Sequence, residues 1–274
     1  MPRVGYLGPR GTFTGEALEA NLAGEFEEMV PFQTVPDVLM AVQAGEVDSG
    51  MVPMENSIEG SVNATIDTLA FETTLFVERE VLHEIRHFLV SRPGVSAGGL
   101  TGIVSHPQAT AQCRKYLAGR FPGVPVTAAN STAEAAQLVS KSEEQLAAVA
   151  NELAAGIYGL VVLARDIEDY PHNVTRFIVA GRSRPARTGR DKTSMVCFIR
   201  ENRSGSLLEI LTEFASRGIN LTKIESRPTG KVLGEYCFYI DVVGHAEDED
   251  VAAALLSLEG KLRELKLLGS YPAA

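Results

Sequence analysis

Polar side chains directly follow two of the apolar runs that predict β-strands, and their types suit a small anionic ligand. Glu55, Asn56 and Ser57 come after one of these runs. Ser105 and Gln108 come after another. Ligands of α/β proteins usually lie at the ends of such strands. Both segments supply hydrogen-bonding side chains there, so both are candidate binding sites.

Three further polar positions have the same character. Gln112 lies one helical turn beyond Gln108. Asn130 precedes a predicted helix, and Thr12 lies in a glycine-containing turn before the first predicted helix, where backbone N–H groups can bind an anion. Helix capping or an ordinary turn explains each position equally well, so none of them alone defines a function.

The segment Thr175-Arg176-Phe177 is the strongest candidate for chemistry. It opens the last apolar run before the character of the sequence changes near residue 181. Arg176 carries a planar guanidinium that matches a carboxylate. Thr175 carries a hydroxyl that can donate or accept a hydrogen bond. We therefore expect an anionic substrate beside this segment.

His83 and His87 form the His-Glu-x-x-His pattern of zinc hydrolases, in which a helix presents both histidines to one metal ion. The surrounding residues, 76–90, are rich in Val, Ile and Phe, which predicts a strand instead. A strand does not give the helical zinc geometry, and no His-x-x-Gly-x-x-His continuation follows. We expect no metal site here.

The composition restricts the classes of partner and compartment. The net charge is −10 and the pI is about 5.1, so the protein repels polyanions, which argues against nucleic acid as a partner. Charged residues or glycine interrupt every apolar run before the roughly 20 residues that span a bilayer, so we expect no membrane partner. The first residues do not resemble a signal peptide. The three cysteines lie apart in apolar segments, as reduced thiols would, and a cytoplasmic location is expected.

The elements that position these residues divide the chain into three parts. Residues 1–181 alternate apolar runs with segments of helical spacing, which predicts α/β structure. This region is large enough for two lobes with a cleft, and we place the second lobe at about residues 78–165. Residues 182–192 have the Arg, Pro and Gly content of a solvated linker. The alternation of apolar runs and helical spacing in residues 193–271 predicts the βαββαβ order of ferredoxin-like regulatory domains.

Together these segments resemble the prephenate dehydratase family, and the resemblance covers nearly the whole chain. The motifs that carry it are residues 8–13, 53–60, 105–108 and 151–159, Thr175-Arg176-Phe177, and Glu225-Ser226-Arg227-Pro228. The family joins a two-lobed catalytic region, similar to periplasmic binding proteins, to an ACT domain that senses phenylalanine. The resemblance implies this α/β fold, in a monofunctional form because no chorismate mutase segment precedes Met1.

The resemblance implies decarboxylative dehydration of prephenate to phenylpyruvate without a metal or organic cofactor. Thr175 is then expected to act at the departing hydroxyl, Arg176 to support the anionic substrate and Phe177 to pack beside the ring. The implied substrate contacts are Thr12, Glu55, Asn56, Ser57, Ser105, Gln108, Gln112 and Asn130, with Glu55 also a candidate acid behind Thr175. Arogenate is an alternative substrate, and an amino-acid sensor is the alternative function.

For the C-terminal domain the resemblance implies phenylalanine as an inhibitor, bound between paired ACT domains of a homo-oligomer, either a dimer or a tetramer. The implied contacts are Gly205, Ser206, Leu207, Leu208, Asn220, Leu221, Glu225, Ser226, Arg227 and Pro228. Inhibition requires tighter binding of phenylalanine to a low-activity state than to the active one. Because the linker directly follows the strand that begins near Thr175, we expect it to transmit this change.

Overall fold

The computed structural model describes residues 2–230 and 234–274, and its strands form three β-sheets. The strands are β1 (Arg3–Leu7), β2 (Glu28–Phe32), β3 (Ser49–Asn56), β4 (Gly60–Ser61), β5 (Phe76–Glu84), β6 (Phe88–Ser91), β7 (Gly102–Ser105), β8 (Val126–Ala128), β9 (Leu146–Ala150), β10 (Val161–Ala164), β11 (Val174–Gly181), β12 (Asp191–Phe198), β13 (Leu221–Pro228), β14 (Tyr236–Val243) and β15 (Glu264–Pro272). The helices are α1 (Phe13–Leu22), α2 (Val35–Ala44), α3 (Asn63–Asp67), α4 (Pro107–Gln112), α5 (Arg114–Arg120), α6 (Thr132–Lys141), α7 (Glu152–Ile157), α8 (Ser206–Ala215) and α9 (Glu249–Lys261). No helix among the described residues is both long and apolar enough to cross a membrane.

The first lobe is built on a sheet with strand order β2-β1-β3-β11-β5, and β4 pairs beside β3. β1 runs parallel to β2 and β3, whereas β11 runs antiparallel to β3 and β5. Thr34 and Asp37 form a capping box at the start of α2, and Gly45 ends that helix in the left-handed conformation that favours glycine. The pairing places the beginning of β11 beside the end of β3, at the edge that faces the second lobe.

The second lobe has the strand order β10-β6-β9-β7-β8. The predicted start of this lobe at residue 78 is wrong, because β5 pairs with β11 along its whole length and belongs to the first sheet. The strand predicted over residues 76–90 is confirmed as extended structure but is divided into β5 and β6. It is divided because the chain crosses from one lobe to the other at residues 85–87.

The C-terminal domain has the predicted βαββαβ order and a sheet arranged β13-β14-β12-β15. Its helices α8 and α9 cover one face of the sheet and enclose a separate apolar core that includes Phe214 and Leu258. The opposite face packs against the first lobe. Phe198, Tyr239 and Leu268 belong to the same buried cluster as residues of α2 and β3. The two domains therefore share part of their hydrophobic core.

Residues 182–190 connect β11 to β12 and contact the protein at several points. Arg182 Nη1 donates to the carbonyl oxygens of Val42 and Val47 at 2.6 and 2.9 Å. Arg187 forms an ion pair with Asp248. Both side chains are about half exposed, as predicted for a solvated linker, and they also hold the linker against the protein. Carbonyl groups near the C-terminal end of α2 carry partial negative charge and attract the Arg182 cation.

The three cysteines are free and buried. Burial raises the pKa of the Cys197 thiol to about 12 and that of the Cys237 thiol to about 11. Both thiols are therefore protonated at neutral pH, and their role is packing rather than nucleophilic chemistry.

Candidate active site

A cavity of about 330 Å³ lies between the lobes, where the ends of β1 and β3 and the start of β11 face α4 and α6. Its volume is in the range of small-molecule sites. The predicted site residues that line it are Thr12, Asn56, Gln108, Gln112, Asn130, Thr175 and Phe177. Segments far apart in the sequence are thus brought together around one cavity.

Thr175 lies at the wall of the cavity and is only 7% exposed. It is paired with Asn56 across β3 and β11. Asn56 Nδ2 donates a hydrogen bond to Thr175 Oγ1 at 2.8 Å. Because this bond occupies a lone pair of the hydroxyl oxygen, the Thr175 hydroxyl hydrogen can be donated to a ligand in the cavity.

An apolar wall stands beside this polar group. Phe177, two residues after Thr175 on β11, lines the cavity together with Phe13, Val62 and Ile85. The ring of Phe13 packs edge-on against the ring of His87 at 5.2 Å. A ligand with a flat ring and polar substituents matches these surroundings.

The N-terminal ends of α1 and α6 also border the cavity. Ser131 caps α6 by accepting a hydrogen bond from the Glu134 N–H at 2.9 Å. Thr12 caps α1, and its Oγ1 donates to the Leu7 carbonyl at 2.7 Å, so its hydroxyl hydrogen is engaged within the protein, and its contact with the substrate stays a prediction. Among the residues that the structure describes, no lysine or arginine lines the cavity. Backbone N–H groups, helix dipoles and neutral side-chain donors such as Gln108 and Asn130 are therefore the groups available for carboxylates.

Arg176 faces away from the cavity, so the predicted direct contact with the substrate is wrong for this geometry. Its Nη1 donates to Asp241 Oδ2 at 2.6 Å, and its Nη2 donates to Tyr271 Oη at 2.8 Å. Its Nε lies 2.8 Å from Glu80 Oε2, an ion-pair contact that is not aligned as a hydrogen bond. Side chains alternate along a strand, so the residue between two cavity-lining residues points to the opposite face.

The cluster around Arg176 is charged and buried at the junction of the two domains. Burial alone would lower the pKa of Arg176, but attraction to Asp241 and Glu80 outweighs this effect and raises it. Burial, together with the charge of Asp241, raises the pKa of Tyr271. Arg176 is therefore a cation and Tyr271 a neutral hydroxyl at physiological pH. Ser194 Oγ completes the cluster by donating to Asp241 Oδ1 at 2.5 Å.

Other predicted substrate contacts are engaged within the protein and do not line the cavity. Glu55 forms an ion pair with Lys223 at 3.0 Å, on the face of β3 that the C-terminal domain covers, so it cannot act as an acid behind Thr175 from this position. Ser57 Oγ accepts from a backbone N–H of β11 at 3.0 Å. Ser105 Oγ donates to a backbone carbonyl of β9 at 2.6 Å.

Two buried residues at the site were not predicted. Asn173 Nδ2 donates to Gln112 Oε1 at 2.9 Å, and His87 Nε2 lies 2.9 Å from the same oxygen. His87 lines the cavity. The His-Glu-x-x-His pattern did single out His87, but as a candidate zinc ligand and not as a hydrogen-bonding residue of the cavity. Asn173 stands two residues before Thr175, and its proximity to that residue was the only signal.

The two histidines of that pattern lie in different surroundings. His83, on β5, has its Nε2 3.3 Å from Glu16 Oε2, whereas His87 follows the strand and bonds to Gln112. The predicted strand is confirmed as far as Glu84, and His87 lies in the connection between β5 and β6. Among residues 2–230 and 234–274, no group of three or more His, Cys, Asp or Glu side chains could hold a metal ion.

The predicted effector contacts lie at the start of α8 and along β13, which is an edge strand. Glu225 accepts a hydrogen bond from Ser61 Oγ at 2.7 Å. Arg227 donates to both carboxylate oxygens of Asp67 at 2.8 and 2.6 Å. Alternate side chains of β13 therefore contact the first lobe, which places this segment at the junction of the two domains.

Two α/β lobes around a cavity lined by both polar and apolar side chains, with a βαββαβ domain packed on one of them, define a cleft enzyme with an attached ligand-sensing domain. A model of the family described as prephenate dehydratase matches residues 4–185, and a model described as ACT domain matches residues 194–260. The chain belongs to the prephenate dehydratase family and carries an ACT domain. It is a carbon–oxygen lyase.

Two individual relatives agree with this membership, and a third similar structure carries a different description. The prephenate dehydratase of Amycolatopsis methanolica is 42% identical over 277 residues, which cover 100% of this chain and 90% of the relative. The prephenate dehydratase of Arthrobacter aurescens in complex with L-Phe is 44% identical, with a TM-score of 0.92 and coverage of 98% and 90%. A structure described as a novel type of quorum-quenching acylase is 30% identical, with a TM-score of 0.90 and coverage of 99% and 98%.

Proposed function

We propose that this chain converts prephenate to phenylpyruvate, water and carbon dioxide in phenylalanine biosynthesis, and that it does so in the cytosol, where its buried thiols stay reduced. The observation that carries the proposal is the position of Thr175. Its hydroxyl lies at the cavity wall, with Asn56 donating to its oxygen and Phe177 beside it. Family membership supplies the substrate class.

The reaction couples two bond cleavages in one ring. The bond between the ring and its carboxylate breaks, and its electron pair enters the ring. The carbon–oxygen bond to the ring hydroxyl breaks, and the departing hydroxide takes up a proton to leave as water. In this proposal Thr175 donates a hydrogen bond to the departing oxygen, which stabilises its developing charge. A threonine hydroxyl is too weak an acid to supply this proton, so it is taken up from the solvent, and one proton is consumed for each prephenate dianion that gives the phenylpyruvate anion, water and carbon dioxide.

The cavity also accounts for substrate binding in this proposal. The N-terminal ends of α1 and α6 attract the two carboxylates, and the side chains of Gln108 and Asn130 supply further amide donors. Phe177 and Phe13 keep water from one side of the ring. A carboxylate that is less hydrated leaves more readily as carbon dioxide.

The similarity to an acylase raises the question of amide hydrolysis. A threonine nucleophile needs a base that accepts its proton. The neighbour that Thr175 contacts is Asn56, whose amide N–H group donates to the Thr175 oxygen instead. This arrangement supports hydrogen-bond donation by Thr175 and therefore favours the lyase reaction.

Product analysis tests the proposal. Purified protein is incubated with prephenate, with arogenate or with an N-acyl amide, each with and without phenylalanine. We expect phenylpyruvate from prephenate. Phenylalanine formed from arogenate alone would change the assigned substrate, and hydrolysis of the amide without any aromatic product would contradict the lyase assignment.

We further propose that phenylalanine inhibits the enzyme and binds between the ACT domains of a homo-oligomer. Leu208 on α8 and Ile224 on β13 are 66% and 43% exposed, although both are apolar. A second copy of the chain would cover them and complete the site that the predicted effector residues begin. The relative solved with L-Phe supports the choice of effector. Light scattering of the purified protein with and without phenylalanine would show a monomer if this proposal is wrong.

A further inference from the structure

A chain of buried hydrogen-bonding side chains connects His87 to Thr175. Its members, in order, are His87, Gln112, Asn173, Asn56 and Thr175, and each is at most 8% exposed. Gln112 comes from the second lobe, and Asn56 and Thr175 come from the first lobe. His87 and Asn173 lie in the two connections between the lobes, β5 to β6 and β10 to β11. We call this chain the relay.

The orientation of the Asn56 amide is fixed by the backbone. Its Oδ1 accepts from the N–H groups of Ile58 and Glu59, both at 3.0 Å. Backbone N–H groups cannot accept, so the oxygen must face them and the Nδ2 group must face the relay. Asn56 Nδ2 then donates both to Thr175 Oγ1 at 2.8 Å and to Asn173 Oδ1 at 2.7 Å.

The remaining orientations follow from this one. Because Asn173 Oδ1 accepts from Asn56, its Nδ2 group is the donor to Gln112 Oε1 at 2.9 Å. The same Gln112 oxygen lies 2.9 Å from His87 Nε2. An amide oxygen only accepts, so His87 carries its hydrogen on Nε2. The tautomer of the histidine and the donor direction of every bond are thus determined.

Burial supports the neutral form of this histidine. Burial lowers the pKa of His87, and this effect exceeds the opposing influence of Gln112 and of the carboxylates of Glu168 and Glu16. The other ring nitrogen, Nδ1, is buried without a hydrogen-bond partner. A lone pair at that position is tolerated more easily than the additional N–H of an imidazolium would be.

We propose that His87 and Asn173 are positioning residues for Thr175, which they orient through Gln112 and Asn56. The inference rests on the proposed dehydratase reaction. With its oxygen held by Asn56, the Thr175 hydroxyl presents its hydrogen to the departing oxygen of the substrate. Asn56 Oδ1 stays bound to the Ile58 and Glu59 N–H groups, but loss of the His87 or Asn173 donor removes a restraint on the positions of Gln112 and Asn173. A shift of Asn173 displaces the partner of Asn56 Nδ2 and allows the Thr175 hydrogen to turn away from the cavity. The expected defect is in turnover and not in substrate affinity.

Two substitutions of His87 distinguish positioning from packing. His87→Gln can place an amide N–H near the position of Nε2, whereas His87→Phe keeps the ring shape beside Phe13 but has no N–H. We expect His87→Phe to lower kcat about tenfold or more and His87→Gln to stay within about threefold of the wild type, both with nearly unchanged KM. Asn173→Asp, which keeps the acceptor and removes the donor, should resemble His87→Phe. Circular dichroism and thermal unfolding report whether each variant folds.

The relative kcat values of the two His87 variants decide whether the residue positions Thr175 or only fills space. A His87→Phe enzyme that turns over as fast as His87→Gln, or faster, would show that the residue only fills space and would overturn the proposal. If His87→Phe does not fold, Asn173→Asp becomes the deciding variant. An unchanged kcat in Asn173→Asp would also overturn the proposal. If the wild-type protein gave no phenylpyruvate, the dehydratase proposal itself would fail, and the role of the relay would fall with it.

Discussion

Thr175 and Arg176 are adjacent in the chain, but their side chains lie on opposite faces of β11. Thr175 reaches the cavity, while Arg176 is inserted among acidic and hydroxyl groups of the domain junction. The two residues are linked by one peptide group. A displacement of Arg176 that strains its contacts with Asp241 and Tyr271 can therefore shift the backbone that holds the Thr175 hydroxyl.

The hydroxyl of Thr175 can be tested by two substitutions of similar size. Thr175→Val keeps the shape of the side chain but cannot donate a hydrogen bond, and we expect kcat to fall by about 10²–10⁴-fold. Thr175→Ser keeps the hydroxyl and should retain most of the turnover. Rates of phenylpyruvate formation from prephenate measure both. Near-normal kcat in Thr175→Val would show that this hydroxyl has no part in the chemistry.

At the scale of elements, one face of β11 borders the cavity at its start and packs against β1 and α1 further along, and the other face packs against the ACT sheet. The contact between β11 and that sheet contains a buried ion pair, Arg176 with Asp241, in which Asp241 is fully buried. A buried charge that loses its partner is strongly destabilising. The position of β11 therefore depends on the ACT domain being in place.

Removal of the Asp241 charge tests this dependence. Asp241→Asn should lower the free energy of unfolding by about 3–5 kcal/mol, because Arg176 then remains buried without its closest counter-ion. Glu25→Gln is the matched control, since Glu25 pairs with Arg79 at the surface, where both side chains are more than 40% exposed. That change should cost at most about 1 kcal/mol. Equal urea midpoints for the two variants would show that the buried pair contributes little.

The elements that could be predicted are those with strong local signals. The extended segment at residues 76–90 and the βαββαβ order both followed from local composition. Strand β2 was not predicted, because Pro31 and partly exposed side chains hide a strand at the edge of the sheet. Its pairing with β1 is a tertiary interaction that no local pattern encodes.

The site was predictable as a set of segments but not as a set of side-chain directions. Asn56, Gln112 and Thr175 were placed correctly in the cavity. Glu55 and Arg176 were not, because the polar residues next to a strand end look alike in sequence until the sheet assigns each one a face. The docking of the ACT domain on the outer face, which gives these two residues their partners, depends on contacts between distant segments.

At the scale of the whole molecule, the catalytic and ACT domains are joined over a broad surface. Arg227 binds Asp67, and Lys266 Nζ donates to the carbonyl oxygens of Leu69 and Ala70 at 2.7 and 3.0 Å. A side-chain carbon at Gly269 would lie only 2.8 Å from the Val77 oxygen, which shows how closely β15 approaches β5. A movement of the ACT domain can therefore reach β11 without passing through the linker.

Lengthening the linker tests whether the effect of phenylalanine reaches the active site through residues 182–190 or across the surface between the ACT domain and β11. We would insert about six Gly and Ser residues between Pro185 and Ala186, which leaves the Arg182 and Arg187 contacts on either side. Loop entropy rises only slowly with length, so the ACT sheet should remain docked and both basal kcat and phenylalanine inhibition should stay within about twofold of the wild type. Steady-state rates over a range of phenylalanine concentrations measure both quantities. Normal basal turnover with lost inhibition would show that the signal travels through residues 182–190, as the sequence first suggested, and not across the face of β11.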